Sequence, residues 1–204
     1  MHILYTLFIA LANNLDNIGV RIAYSIRGIK ITTPKNLWIS VITFFISTFA
    51  AYLGSVISWL LNKQISSIIS MILLTIIGLW IIFGDYLTKE NDSVTTLNKD
   101  SMNNIYHILK KPEAADMDDS KDIDYKEATL LGIALSINNI GGGLSAGMIG
   151  LNSFFVGFLS AIISFLALWA GNYITEFINR WNLGSKANVL SGIALIIIGI
   201  KQIF

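Results

Sequence analysis

Apolar residues in this chain run in long stretches instead of alternating with polar ones. Six stretches qualify as membrane spans, near 3–26, 37–61, 65–86, 128–150, 153–175 and 186–203. A bilayer core needs about 20 mainly apolar residues per helix. Between the third and fourth, residues 87–127 contain no apolar run able to cross back. The pattern predicts an all-α polytopic membrane protein of six transmembrane helices.

Polar residues interrupt these spans in a repeated order. Asn14-Leu-Asp16-Asn17-Ile-Gly19 in the first span returns as Ser136-Ile-Asn138-Asn139-Ile-Gly141 in the fourth, at an offset of 122 residues. The same offset pairs Gly28 with Gly150, and nearly the same offset pairs Ile76-Ile77-Gly78 with Ile197-Ile198-Gly199. In the second and fifth spans Ala51-Tyr52-Leu53-Gly54 aligns with Leu168-Trp169-Ala170-Gly171. The chain therefore reads as an internal duplication, with residues 1–86 as a first three-helix repeat, 87–127 as a cytoplasmic acidic linker and 128–204 as a second three-helix repeat. A unit of three spans ends on the opposite side from its start, so the second copy is expected upside down. Inverted repeats place substrate near the bilayer midplane at the repeat interface.

Charge gives the orientation. With the N-terminus outside, the inner loops hold Arg27, Lys30, Lys35, the six lysines of the long loop, Arg180 and Lys186, against Lys63 and Lys201 outside. Basic residues gather on the cytoplasmic side, so both termini are expected outside. Trp38, Trp59, Trp80 and Trp181 fall near span ends, as interfacial anchors do, while Trp169 is expected to pack between helices. Met1-His2-Ile3 has no basic n-region, and cleavage after Ala12 would cut the repeated motif, so a cleaved signal is not expected.

The chain is 54% apolar and 13% charged, with a net charge of +1. Ten of its thirteen acidic residues lie between Glu90 and Glu127, leaving Asp16, Asp85 and Glu176 elsewhere. Cysteine is absent, which excludes disulfides, thiolate metal ligation and cysteine nucleophiles.

Asp16 is the residue that needs an explanation. A central Asp in a span costs about 2.5–3.5 kcal/mol on insertion scales, so such residues usually mark function. On a continuous helix Asn13, Asp16 and Asn17 share one face, continued by Val20 and Tyr24. If the first and fourth helices cross at the pseudo-two-fold axis, Asn138 and Asn139 meet them. One carboxylate with several neutral oxygens suits a hard divalent ion, Mn²⁺, Mg²⁺ or Ca²⁺, better than zinc or copper. The candidate metal ligands are Asp16, Asn17, Asn13, Asn138 and Asn139. For the asparagines the plainer alternative is interhelical hydrogen bonding, worth about 0.6–2 kcal/mol each. Arg21 is a candidate charge-compensating partner of Asp16, although five residues turn about 140° around a helix; the alternative is a side chain reaching the inner interface. Gly141-Gly142-Gly143 admits two readings, an unwound stretch lining a cavity or close helix packing.

The long loop is polar and net negative, which reads as a solvated tether. Within it Asp116, Asp118, Ser120, Asp122, Asp124 and Glu127 follow calcium-loop spacing, with Lys121 where the sharp turn wants glycine. No P-loop, catalytic triad or HExxH motif is present, so the chain is not read as an enzyme and no cofactor is expected beyond the transported cation. The expected partners are the lipid bilayer and that cation, not nucleic acid.

Six spans in two halves, Ala10-Leu-Ala-Asn-Asn-Leu-Asp16-Asn17 in the first helix and Ile133-Ala-Leu-Ser-Ile-Asn138-Asn139 in the fourth resemble the MntP-type manganese efflux pumps, and among them the sporulation-associated YtaF-type proteins of spore-forming bacteria. The resemblance implies a plasma-membrane exporter of the lysine-exporter superfamily that moves Mn²⁺ outward. Asp16 matches the family's first-helix aspartate. Its fourth-helix aspartate is Asn138 here, and the basic residue that follows it in the family has no counterpart in residues 141–151. With one carboxylate fewer, divalent-ion affinity is expected to fall. A different class of function also fits, a non-transporting sporulation membrane protein that recruits partners through loop 87–127.

Overall fold

A computed structural model describes residues 2–61, 63–87, 108 and 115–181. They form α1 (His2–Asn14), α2 (Asp16–Arg27), α3 (Thr33–Leu60), α4 (Lys63–Leu87), α5 (Tyr125–Met148) and α6 (Ser153–Trp181). Among the described residues there is no strand, only one isolated bridge between Lys30 and Asp122. Four helical stretches are long and apolar enough to cross a membrane: Ile3–Ser25, Thr33–Leu60, Tyr125–Met148 and Ser153–Ala170. They correspond to the first, second, fourth and fifth expected spans. The third expected span falls on α4, whose apolar portion is Gln64–Ile77. The sixth, 186–203, lies outside the described residues.

Local chemistry sets the helix ends. Pro34 opens α3, where its missing N–H removes no intrahelical bond. Asp124 caps α5 in a capping box, accepting from Glu127 N while the Glu127 side chain accepts from Asp124 N. Two helix ends carry the same closing geometry. After α2, Gly28 N donates to Ser25 O and Ile29 N to Tyr24 O; after α5, Gly150 N donates to Gly147 O and Leu151 N to Ala146 O. Gly28 has φ 75° and Gly150 φ 82°, the left-handed turn of a Schellman motif, which glycine adopts without a Cβ clash. Each bond of the first turn maps onto its counterpart in the second at the 122-residue offset.

The polarity of the bundle is inverted relative to a water-soluble protein. Bulky apolar side chains face outward, with Trp59 85% and Phe45 64% exposed, while Asn13, Asn14, Asn17, Thr43, Ser136 and Asn139 are buried. That distribution fits lipid as solvent, because polar groups must then be satisfied inside. The most extensive helix pairing is α3 with α5, followed by α3 with α6, and α6 packs in turn on α1 and α2. Small residues permit the α3–α5 contact. A Cβ on Gly54 would overlap the carbonyl of Leu144, one on Gly147 would overlap the carbonyl of Ala51, and one on Gly143 would lie 2.9 Å from the Ala50 Cβ.

Four features differ from the pattern-based reading or decide between its alternatives. The first span is not one continuous helix, because α1 ends at Asn14 and α2 starts at Asp16, with Leu15 between them. The Asn14 side chain donates to Ala10 O at 2.8 Å, competing for a carbonyl that a straight helix gives to its own backbone. Gly141-Gly142-Gly143, in contrast, stays helical within α5, so close packing accounts for these glycines. Trp169 is 49% exposed on α6 instead of lying between helices. Finally, residues 115–124 do not hang free: Ala115 and Ile123 are fully buried, Lys30 N donates to Lys121 O at 2.9 Å, and Ile123 N to Lys30 O at 3.1 Å. Lys35 Nζ completes this contact with an ion pair to Asp122 at 2.8 Å.

Gly147→Val is expected to destabilise the folded chain by about 3 kcal/mol or more, since the added side chain must force the α3 and α5 backbones away from each other. Gly28→Ala, with open space around it and only the left-handed backbone to accommodate, is expected to lose about 1–2 kcal/mol. Thermal unfolding of both variants in the same detergent checks the order.

Candidate cation site

Asn13, Asn14 and Asp16 of the first span lie against α5, and Asn17 reaches α6. Asn13 packs on Gly142, where any Cβ would overlap the Asn13 amide. Asn138 Nδ2 donates a short hydrogen bond to Asp16 Oδ2. These two occupy equivalent positions in the repeated motif, 122 residues apart. Beside them, Asn14 and Asn139 form a reciprocal amide pair, Asn14 Nδ2 to Asn139 Oδ1 at 3.0 Å and Asn139 Nδ2 to Asn14 Oδ1 at 3.2 Å. Thr43 of α3 and Ser136 of α5 share a further buried bond at 3.0 Å.

The amides divide into two kinds. Asn14 uses every hydrogen-bonding capacity it has: Nδ2 donates to Ala10 O and Asn139 Oδ1, and Oδ1 accepts from Asn139 Nδ2 and, at 3.4 Å, from Asn17 Nδ2. Asn13 Oδ1, Asp16 Oδ1 and Asn17 Oδ1 are each buried without any hydrogen-bond partner. A buried oxygen without a donor loses about 1–3 kcal/mol, and more when charged. Three such oxygens fall within five residues, one of them on a carboxylate, while Asn36, Ser47, Thr48 and Ser145 carry others elsewhere. A cation satisfies the three on Asn13, Asp16 and Asn17, and a second set of acceptors does not.

Of the five candidate ligands, Asn13, Asp16 and Asn17 thus offer a free oxygen. Asn138 instead presents its N–H to the carboxylate, and Asn139 is engaged with Asn14. Arg21 turns away from Asp16. It is buried, its Nη1 donates to Ile29 O at 3.5 Å, and it lines a cavity of about 460 Å³ with Ser25, Gly28, Lys30 and Thr32. Among the described residues no ion pair joins Arg21 to Asp16, and the separation of about 140° around α2 is the reason. Pattern reading passed over Asn14 as a site element, and it passed over Ser164, which accepts from Asn17 Nδ2 at 3.0 Å. Asn14 lies inside the repeated motif, whereas Ser164 carries no sequence signal beyond a hydroxyl in an apolar span.

Around the start of α5, carboxylate oxygens of Asp116, Asp118 and Glu127 lie within 4.8 Å of one another. Lys121 adopts the left-handed turn, φ 61°, at the position where calcium loops have glycine. Other residues of the spacing are engaged elsewhere, Asp122 with Lys35 and Asp124 as the cap of α5. The hydroxyl and backbone N–H of Ser120 hold the exposed Asp118 carboxyl below the ordinary carboxylate range.

These elements define a class, a polytopic helical membrane protein with a carboxylate and open amide oxygens inside its bundle. The chain belongs to the MntP manganese efflux pump family. Residues 100–203 match the family described as "Putative manganese efflux pump". Over an alignment of 211 positions that covers all of both chains, it is 30% identical to "Probable sporulation protein YtaF" of Bacillus subtilis (strain 168). No solved structure matches it.

Asn14→Ala is expected to destabilise the protein by about 1–2 kcal/mol, because the amide of Asn139 loses its partner. The double variant Asn14→Leu/Asn139→Leu is expected to recover some of that loss, since apolar groups of similar shape leave no orphaned amide between them. Chemical unfolding of the single and double variants measures the difference.

Proposed function

We propose that the chain is a secondary transporter exporting a divalent metal cation, Mn²⁺ before others, across a bacterial plasma membrane, with both termini outside. The observation that carries this reading is the set of unpartnered oxygens on Asn13, Asp16 and Asn17, acceptors without donors in a membrane interior. Membership of a family described as manganese efflux pumps supports the ion and the direction. The chain contains no ATP-binding motif, so an ion gradient drives the export.

In this reading Asp16 is the charged ligand, Asn13 and Asn17 supply neutral oxygens, and Asn138 holds the carboxylate when the site is empty. Asn138 is an amide, so its side chain turns its oxygen inward to join the ligand set when a cation enters. Asn139 acts through Asn14. Residues 1–86 and 128–204 are the two three-helix repeats, inverted about an axis near the Asp16–Asn138 contact, and 87–127 is the cytoplasmic linker. The matched closing turns after α2 and α5 support the duplication. The contact between equivalent positions Asp16 and Asn138 supports an axis there, because equivalent residues of two copies touch where a two-fold axis passes. A role in sporulation is drawn from the name of the Bacillus relative.

Asp16→Asn is expected to abolish Mn²⁺ flux in proteoliposomes while the protein still inserts and unfolds as the parent does, with Mg²⁺ and Ca²⁺ as weaker competitors in the parent. Flux retained in the variant would sink the proposal. No flux in a correctly folded parent chain would favour the recruiting role of loop 87–127.

A further inference from the structure

The amide of Asn17 has two N–H donors on one arm and a single oxygen on the other, and a half-turn exchanges them. Only one orientation presents oxygen to a cation beside Asp16. The opposite orientation presents two positively polarised hydrogens, which repel it. Asn17 is fully buried, so no water corrects a wrong orientation.

One neighbour decides it and a second, a hydroxyl that can bond either end of an amide, holds it in place. Asn17 Nδ2 donates to Ser164 Oγ of α6 at 3.0 Å and, more loosely, to Asn14 Oδ1 at 3.4 Å. Both donors are thereby used on one side, and Oδ1 is left unpartnered on the other. The orientation of Asn14 is in turn fixed by Ala10 O, a backbone carbonyl that can only accept. The Asn14 N–H₂ must face that carbonyl, so its oxygen faces Asn17. Reversing Asn17 would set its oxygen against the oxygen of Asn14. The sequence of constraints runs from the Ala10 carbonyl through Asn14 to Asn17, and Ser164 closes it from α6.

We propose that Asn14 and Ser164 are positioning residues for the Asn17 amide, Asn14 setting its polarity and Ser164 anchoring it from α6, so that Asn17 contributes an oxygen ligand to the divalent cation at Asp16. Neither residue touches the cation. The inference rests on the transport reading above and adds to it two residues that act through a third.

The test measures Mn²⁺ binding to the purified full chain in detergent, and Mn²⁺ flux in proteoliposomes, for the parent chain, Ser164→Ala and Ser164→Thr. Ser164→Ala is expected to raise both Kd and KM about 5- to 10-fold, the equivalent of one hydrogen bond, with Vmax and the thermal midpoint close to the parent's. Ser164→Thr, which keeps the accepting oxygen, is expected to retain the parent KM. Asn14→Leu, which removes the anchor on Ala10 and the second acceptor together, is expected to raise KM further. A purely structural role would lower Vmax or thermal stability and leave Kd in place. Unchanged Kd and KM in Ser164→Ala would overturn the proposal, as would an equal rise in Ser164→Ala and Ser164→Thr, which would point to packing. If the parent chain neither binds nor moves Mn²⁺, the transport reading falls and this proposal with it, whereas a failure confined to the Ser164 variants removes this proposal alone.

Discussion

Within a bilayer no water completes an unfinished hydrogen bond, so an amide carried into the interior must be matched by another polar group of the protein. The reciprocal pair of Asn14 and Asn139 meets that demand at the crossing of the first span with α5, and much of the surrounding structure follows from it. For the two amides to meet, the first span must approach α5 closely, and Gly142 leaves the room that Asn13 occupies. For Asn14 to reach across while bonded to Ala10 O, the helix yields at Leu15. On either side of that interruption Asn13 and Asp16 each keep an oxygen without a donor. One satisfied amide pair therefore holds in place a neighbouring group of unsatisfied ones.

Much of this is legible in the chain alone, for physical reasons. Apolar length registers the membrane directly, so the first, second, fourth and fifth spans coincide with observed helices. The repeated motif marks both Asp16 and Asn138, which meet in the folded chain. The division of labour among the asparagines is not legible. Whether an amide shows its oxygen or its hydrogens to a site depends on the rotation of each helix and on partners far away in sequence, such as Ser164 for Asn17, 147 residues on. A periodicity of 3.6 assigns faces to a straight helix, and α1 and α2 do not form one. The glycines after Asn139 are ambiguous in sequence because small residues serve both an open backbone and a tight contact; Ile77 against Gly141, Asn13 against Gly142 and Ala50 against Gly143 decide for the contact. Composition describes the acidic loop as solvated, and it does not register that Ile123 is buried or that Asp124 and Glu127 together cap α5.

The two occurrences of the repeated motif are followed by the same backbone turn and differ in side-chain chemistry. The closing turns at Gly28 and Gly150 match bond for bond, since a left-handed residue is hard to replace. Within the motif one occurrence carries a carboxylate, Asp16, and the other an amide, Asn138, which donates to it. The two motifs thus end in alike backbone turns and differ in the group they bring to their contact.

The contact of Lys30 with Asp122 joins the turn after α2 to the segment that leads into α5, through two backbone hydrogen bonds and the ion pair of Lys35. Its environment differs from that of the asparagine pair. Lys30 and Asp122 are exposed, so water competes at the Asp122 end of the ion pair and salt screens its charge, leaving the pair worth about 1 kcal/mol or less. The dry amides of Asn14 and Asn139 have no such competitor. The molecule is therefore fastened like a door, with its hinge in the dry middle and a light latch at the wet edge, and a load applied to both would free the latch first.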